Sequence, residues 1–325
     1  MIFSYIHRMT TSSSRTLRVF WNTLRIFCIS VFNDPVSRTL VNGKILNLPL
    51  SHQLPIYISA HPEYDKLIGR ISSWLRKDYE SITFIDVGAN VGDSIAHFRP
   101  SPNDLIIAIE PNEKFYSFLL KNYGYLSNIK IIKSICSSKE EYLKLTFNEN
   151  NGTASLINVD SAPIIETTTI DLISSQIINK KQINFIKIDT DGYDFEVLKG
   201  AREAISINSP VCMFECDVFN NKNYVADINE ALYFFHTRGY SYFLVYDNYG
   251  YLIGKHSTCD RKWFLQLIPY QCSSGIYYFD LLFINDNKIT EFYKLELAHQ
   301  SLITKSIPGR VAVESAGEIL SANIV

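Results

Sequence analysis

Residues 82–87 form a short β-branched run that passes without a break into Gly88-Ala89-Asn90-Val91-Gly92, and a second such run, 105–109, ends in Glu110-Pro111. A strand that empties into a glycine-bearing turn, beside a strand that ends in a carboxylate, leaves few folds open. The glycines let the backbone approach a ligand closely while it turns into a helix. The carboxylate on the neighbouring strand is placed to accept hydrogen bonds from the two ribose hydroxyls of a nucleoside. The pair predicts a nucleoside site at the carboxyl ends of a parallel sheet, with Asp86, Gly88, Ala89, Asn90, Gly92, Glu110 and Pro111 around the cofactor.

The rest of the chain repeats the alternation that such a sheet requires. Leu67, Ile68, Ile71, Trp74 and Leu75 fall at helical spacing and predict a helix over 64–77. Further strands are predicted at 129–132, 183–188, 211–214, 242–246 and 277–284, and helices at 115–123, 170–178, 195–205 and 228–236. Residues 143–147 and 154–157, parted by the Asn-rich 148–152, read as a hairpin-like excursion. Strands alternating with helices argue for a mostly parallel sheet with helices on both faces. The two late strands, joined without an obvious crossover helix, suggest an antiparallel edge strand. The fold class is α/β and Rossmann-like.

The charges select the nucleoside. A dinucleotide site shows GxGxxG, whose second glycine admits a pyrophosphate. Here Asn90 stands at that position and Asp86 directly precedes the loop. An anion repels pyrophosphate but attracts the sulfonium and ammonium of S-adenosylmethionine (SAM). A nicotinamide oxidoreductase is the weaker alternative, and a non-catalytic SAM-binding protein a third.

Three further stretches extend Asp86 through Asp93 and Glu110-Pro111 in order: Thr168-Thr169-Ile170-Asp171; Phe185-Ile186-Lys187-Ile188-Asp189 with Gly192; and Glu196-Val197-Leu198-Lys199-Gly200. Over residues 80–217 this resembles the FkbM family of SAM-dependent methyltransferases, with a weaker likeness at Tyr278-Phe279-Asp280-Leu281-Leu282. Pro49-Leu50-Ser51-His52 resembles the lead-in of some bacterial members. The resemblance implies a class I methyltransferase fold and O-methylation of sugars or secondary metabolites. Asp191 departs from it, since many members carry Glu there.

A neutral hydroxyl is a poor nucleophile, so a base or a metal must take its proton. Asp189, Asp191 and Glu215 stand at adjacent strand ends and are the catalytic candidates, either as a carboxylate whose pKa its neighbours raise or as ligands of a divalent cation. The other reading makes Asp191 or Asp194 a helix cap and Asp189 an orienting hydrogen-bond acceptor. Lys187 is expected to point to the opposite face from Asp189's neighbours and snorkel, and His97 to be structural. Tyr242, Phe243, Tyr246, Tyr249, Tyr251, Trp263, Phe264, Tyr270 and Tyr277 either contact a sugar-like acceptor or pack a small core. The acceptor is read as a small molecule or glycan, and N-methylation stays open.

A formal charge of −2 gives no reason to expect nucleic acid. Six cysteines without a CxxC pair, and no expected cleavable signal, point to free thiols in a reducing cytoplasm. Residues 1–33 hold Arg8, Arg15, Arg18 and Arg25 and no acid. Such a segment lies on a membrane surface, is a transit peptide, or packs its apolar stripe on the main domain or another subunit. The divisions are a basic amphipathic segment at 1–45, a helical lead-in at 46–80, the SAM-binding domain at 81–288 and a tail at 289–325. The first of these contributes no loop residue and is expected to be separable from cofactor binding.

Overall fold

The computed structural model of the chain describes residues 2–322 apart from 13, 151–152, 159–163, 178–180, 275, 277 and 306–307. Among them, the main sheet has eight strands in the order Leu252–Ser257, Tyr242–Asp247, Tyr278–Phe283, Val211–Asp217, Phe185–Ile188, Thr83–Val87, Leu105–Ile109 and Ile129–Ile132. The last five pair in parallel. Every residue of Thr83–Val87 and Phe185–Ile188 is buried, as strands covered by helices on both sides must be. Successive side chains point to opposite faces. Ile85 and Val87 therefore join Ile107 and Ile186 in one core, while Phe84 joins Ile106 and Phe185 in the other.

The antiparallel edge strand is Leu252–Ser257. Tyr278–Phe283 is antiparallel as well, but it inserts between Val211–Asp217 and Tyr242–Asp247. A helix, Arg261–Ser274, makes the connection. Pro269 inside it masks the helical pattern in the sequence. The helix predicted at 195–205 is two, Asp194–Lys199 and Arg202–Asn208, parted where Gly200 lies against the Ser137 carbonyl. The excursion is a hairpin of Tyr142–Asn150 and Thr153–Asn158 in a second, small sheet. Residues 151–152 of its turn, residue 178 and Tyr277 lie outside the described residues.

The boundary drawn at residue 45 falls inside a hairpin of Val36–Val41 with Lys44–Pro49, which follows the helices Ile2–Met9 and Arg15–Val31. Nor is this segment apart from the glycine loop. His7 Nε2 donates to the His52 carbonyl (2.9 Å), and the His52 ring reaches Asn90. The buried Arg25 donates to the carbonyls of Leu50 and Ser51 (3.1 and 3.2 Å). These ties join residues far apart in sequence, so no local period announces them.

The boundary at 288 likewise cuts a helix. Asp286–Ile303 buries Ile289, Phe292 and Tyr293, with Phe292 against the Trp74 ring. Glu296, 2% exposed, accepts from Arg70 Nε at 2.7 Å and from the Tyr246 hydroxyl at 3.0 Å. The start of the supposed tail is thus core, fixed by a paired charge. Glu296→Ala leaves Arg70 without its main partner and is expected to lower stability by about 3 kcal/mol. Urea denaturation checks this, and a change within error would return residues 286–303 to the status of an appendage.

Candidate functional site

Sheet order reverses at Thr83–Val87, because the chain continues to Leu105–Ile109 on one side and returns to Phe185–Ile188 on the other. A crevice opens at the carboxyl ends of strands at such a point. Gly88 and Asp189 leave the two strand ends side by side. Gly88 has φ +80°, and a Cβ there would stand 1.7 Å from the Asp189 carbonyl oxygen, so no other residue fits. The N–H groups of Gly88 and Ala89 both donate to the Ile109 carbonyl (2.9 and 3.0 Å). Asn90 donates its N–H to Glu110 Oε2, and Asn112 donates to Oε1, each at 2.8 Å. The turn and the carboxylate that the sequence singled out are therefore one hydrogen-bonded unit.

A cleft of about 270 Å³ lies above it. Gly88, Asn90, Glu110, Pro111, Asp189 and Asp191 line it. Asp86 and Glu215 are buried behind its wall, at 0% and 4% exposure. Ala89 does not reach the cleft but packs in the core. Gly92 also stays outside, capping the helix Asp93–Phe98 with its carbonyl held by the Tyr123 hydroxyl (2.8 Å). Both shape the turn from outside the cleft lining. Asp194 accepts from the N–H groups of Thr190 and Gly192 (3.0 Å each) and so fastens the loop that carries Asp191 at φ +51°.

Lys187 corrects the expectation that it snorkels, being 3% exposed. Residues two apart on a strand share a face, so Lys187 stands beside Asp189. Its Nζ is 2.7 Å from Asp189 Oδ2 and 3.8 Å from Asp86 Oδ1. Among the described residues, neither oxygen of Asp86 has a hydrogen-bond partner. Burial pushes Asp86 up to about 7, against the pull of Lys187. Glu110 also rises to about 7 through burial, which the two backbone N–H groups only partly offset. Asp191 reaches about 7 through burial and the adjacent Asp189 charge. Asp189 behaves otherwise. Enclosure in the cleft pushes its pKa up, but the Lys187 ammonium and hydrogen bonds from Glu215 and Lys187 outweigh that and hold it below the ordinary range. Its side chain keeps 45% of its surface open toward the cavity. Glu215, raised well above 4.5 by burial and then by Asp189, is the protonated partner that donates to it.

Sequence reasoning missed several wall residues. His52 lay in the Pro49-Leu50-Ser51-His52 lead-in, the one signal that could have flagged it. Its Nδ1 accepts the Leu54 N–H (3.1 Å), so Nε2 carries the proton and donates to Asn90 Oδ1 (3.1 Å). Tyr64, Asp65 and Tyr278 also line the cleft. Of the aromatic run, Tyr249 reaches the cleft, stacked on His61 with centroids 3.9 Å apart, whereas Phe243, Tyr246 and Phe264 are core. Tyr242, Tyr251 and Tyr270 are exposed, and the Trp263 side chain lies outside the described residues. His97 is buried away from the cleft. Among the described residues, no group of three or more His, Cys, Asp or Glu is arranged to hold a metal ion.

The family model for the methyltransferase FkbM domain matches residues 86–242, from the buried Asp86 to the strand beyond the cleft. Over those residues the chain matches a methyltransferase FkbM domain. No curated protein matches the chain. Among solved structures, an FkbM methyltransferase from Methylobacillus flagellatus is 19% identical over 62% of this chain, with a TM-score of 0.38. This chain covers 43% of that protein, less than half its length. A precorrin-6y C5,15-methyltransferase from Geobacter metallireducens is 12% identical over 68% of this chain and 88% of its own (TM-score 0.35). TYW2 from M. jannaschii, in complex with AdoMet, is 14% identical over 77% and 86% (TM-score 0.36). The fold rests on the strand order above rather than on these remote likenesses.

The FkbM domain's cleft fits SAM on its own chemistry. It joins several carboxylates to one buried ammonium, and among the described residues the oxygens of Asp86 receive no hydrogen bond, so a further cation is what the electrostatics lack. Glu110 keeps free lone pairs beside its two N–H bonds for ribose hydroxyls. The same imbalance makes the unliganded domain sensitive to pH. Asp86, Glu110 and Asp191 have folded-state values of about 7, above their ordinary 3.8, 4.5 and 3.8. The folded chain therefore holds protons that the unfolded chain has released, and these groups make stability fall as pH rises from about 4 to about 7. Thermal unfolding between about pH 5 and about pH 7.5 should show that fall, and SAM should stabilise more at the upper end. A flat profile for both would mean the carboxylates are not perturbed.

Proposed function

We propose that this chain is a SAM-dependent O-methyltransferase that methylates a hydroxyl of a sugar, glycan or secondary-metabolite acceptor by in-line transfer. The observation that carries the reading is the division of labour among the cleft carboxylates. Asp191 faces the cavity with a pKa of about 7, the value suited to taking a hydroxyl proton near neutral pH. Asp189 stays ionised between Lys187 and the protonated Glu215 and is fit to orient the acceptor, not to deprotonate it. SAM, when bound, supplies the methyl group on a sulfonium. Glu110 lines the cleft where its ribose would lie, Asp86 adds negative charge from behind the wall, and the Gly88–Asn90 backbone gives it room. The aromatic faces of Tyr249 and Tyr278, each with a polar tip, suit a sugar ring. A nicotinamide dinucleotide is disfavoured because the carboxylates that line the cleft, with Asp86 behind them, repel a pyrophosphate.

Calorimetry should show binding of SAM and S-adenosylhomocysteine and none of NAD. Glu110→Ala should weaken SAM by about 1–3 kcal/mol through lost charge-assisted hydrogen bonds; unchanged affinity would put the ribose elsewhere.

Methyl-labelled SAM, offered with free sugars, oligosaccharides and polyhydroxylated metabolites beside matched amines, tests the acceptor class. Label entering amines alone would sink the O-methyl reading. With a working acceptor, Asp191→Asn should cut turnover about 10²-fold or more and leave SAM affinity nearly intact. Near-normal turnover would remove Asp191 as the base.

A further inference from the structure

The helix Arg15–Val31 carries two faces. One, with Trp21, Cys28 and the inward-turned Arg25, packs on Leu50 and the lead-in to His52. The other faces outward. Val19, Phe20, Ile26, Phe27 and Val31 recur along it at helical spacing, and each is more than half exposed. Large apolar side chains arrayed along one outward stripe mark a contact surface, unlike single exposed hydrophobes.

The charges beside the stripe select what covers it. Arg8, Arg15 and Arg18 are exposed, and residues 1–33 contain no acid. A second copy of the chain would meet this face through a two-fold contact, in which each patch faces itself. Arginines would then stand near arginines with no carboxylate of the segment to pair with them. An anionic lipid surface supplies both an apolar layer and negative charge. Nor does the helix cross a bilayer. Its 17 residues span about 26 Å, short of a hydrocarbon core of about 30 Å, and no described helix is long and apolar enough to do so. A helix with aromatic and aliphatic residues on one side and arginines at its flank lies in the plane of the interface.

We infer that the helix Arg15–Val31, flanked by Arg8, docks the protein on an anionic membrane surface, with Phe20 and Phe27 entering the acyl boundary and the exposed arginines on the headgroups. This stands independently of the methyltransferase reading, because none of these residues touches the cleft.

Flotation of the full chain with phosphatidylcholine vesicles, with and without phosphatidylglycerol, tests it. The chain should float with the anionic vesicles and less so as salt rises. Phe20→Ser with Phe27→Ser should lower the partition by about tenfold or more per residue, and Arg15→Gln with Arg18→Gln by about fivefold per residue. Circular dichroism establishes that each variant is folded, and the arginine pair serves if the phenylalanine pair is not. Failure to float, equal flotation on neutral vesicles, or a dimer in sedimentation that the phenylalanine pair dissociates, would each overturn the inference.

Discussion

The ammonium of Lys187, almost wholly buried between Asp86 and Asp189, is the charge around which the cleft is organised. Carboxylates taken from water are stable only when paired, hydrogen-bonded or protonated. One cation does not serve all of them. Asp189 takes the direct contact and stays ionised. Glu215 gives up its ionisation and becomes a donor to Asp189. Asp86, Glu110 and Asp191 are left near neutrality, balanced between two protonation states. A site in that condition gains most from a ligand that brings positive charge, which ties the electrostatics to the cofactor the methyltransferase domain implies.

The backbone beneath supplies the geometry that makes this arrangement possible. Two parallel strand ends meet so closely at Gly88 and Asp189 that a single methyl group would push them apart. That closeness sets Asp86 and Lys187, in register on neighbouring strands, within reach of each other. The Ile109 carbonyl gathers the loop by two N–H groups, and Glu110 gathers it by a third. The loop is thus shaped by the strand next to it, and its glycine is a packing requirement as much as a ligand-binding one.

Support for the site comes from both ends of the chain. The N-terminal helices hold the segment that carries His52, and His52 holds Asn90. At the other end Glu296 closes on Arg70, on the helix that covers the first core strand's face. Neither end looks essential as sequence. Each acts through a few polar contacts made across the molecule, with apolar burial filling the space between them.

The sequence by itself determined the five parallel strands, the glycine turn and Glu110, because each is written locally. A β-branched run, a turn residue at a fixed place and a helical period need only a dozen neighbours to be read. It also named the carboxylates at the strand ends, since strand ends share a rim. Only the tertiary structure decided how those carboxylates are paired and buried. Whether Asp189 or Asp191 carries a proton depends on Lys187, Glu215 and the depth of the cleft. His52 and Asp65 meet Tyr278 at the same cavity from the opposite half of the chain, and the pair Arg70–Glu296 is 226 residues apart. Burial and ionisation are properties of a packed volume, and a volume is filled by residues whose separation in sequence carries no record of their meeting.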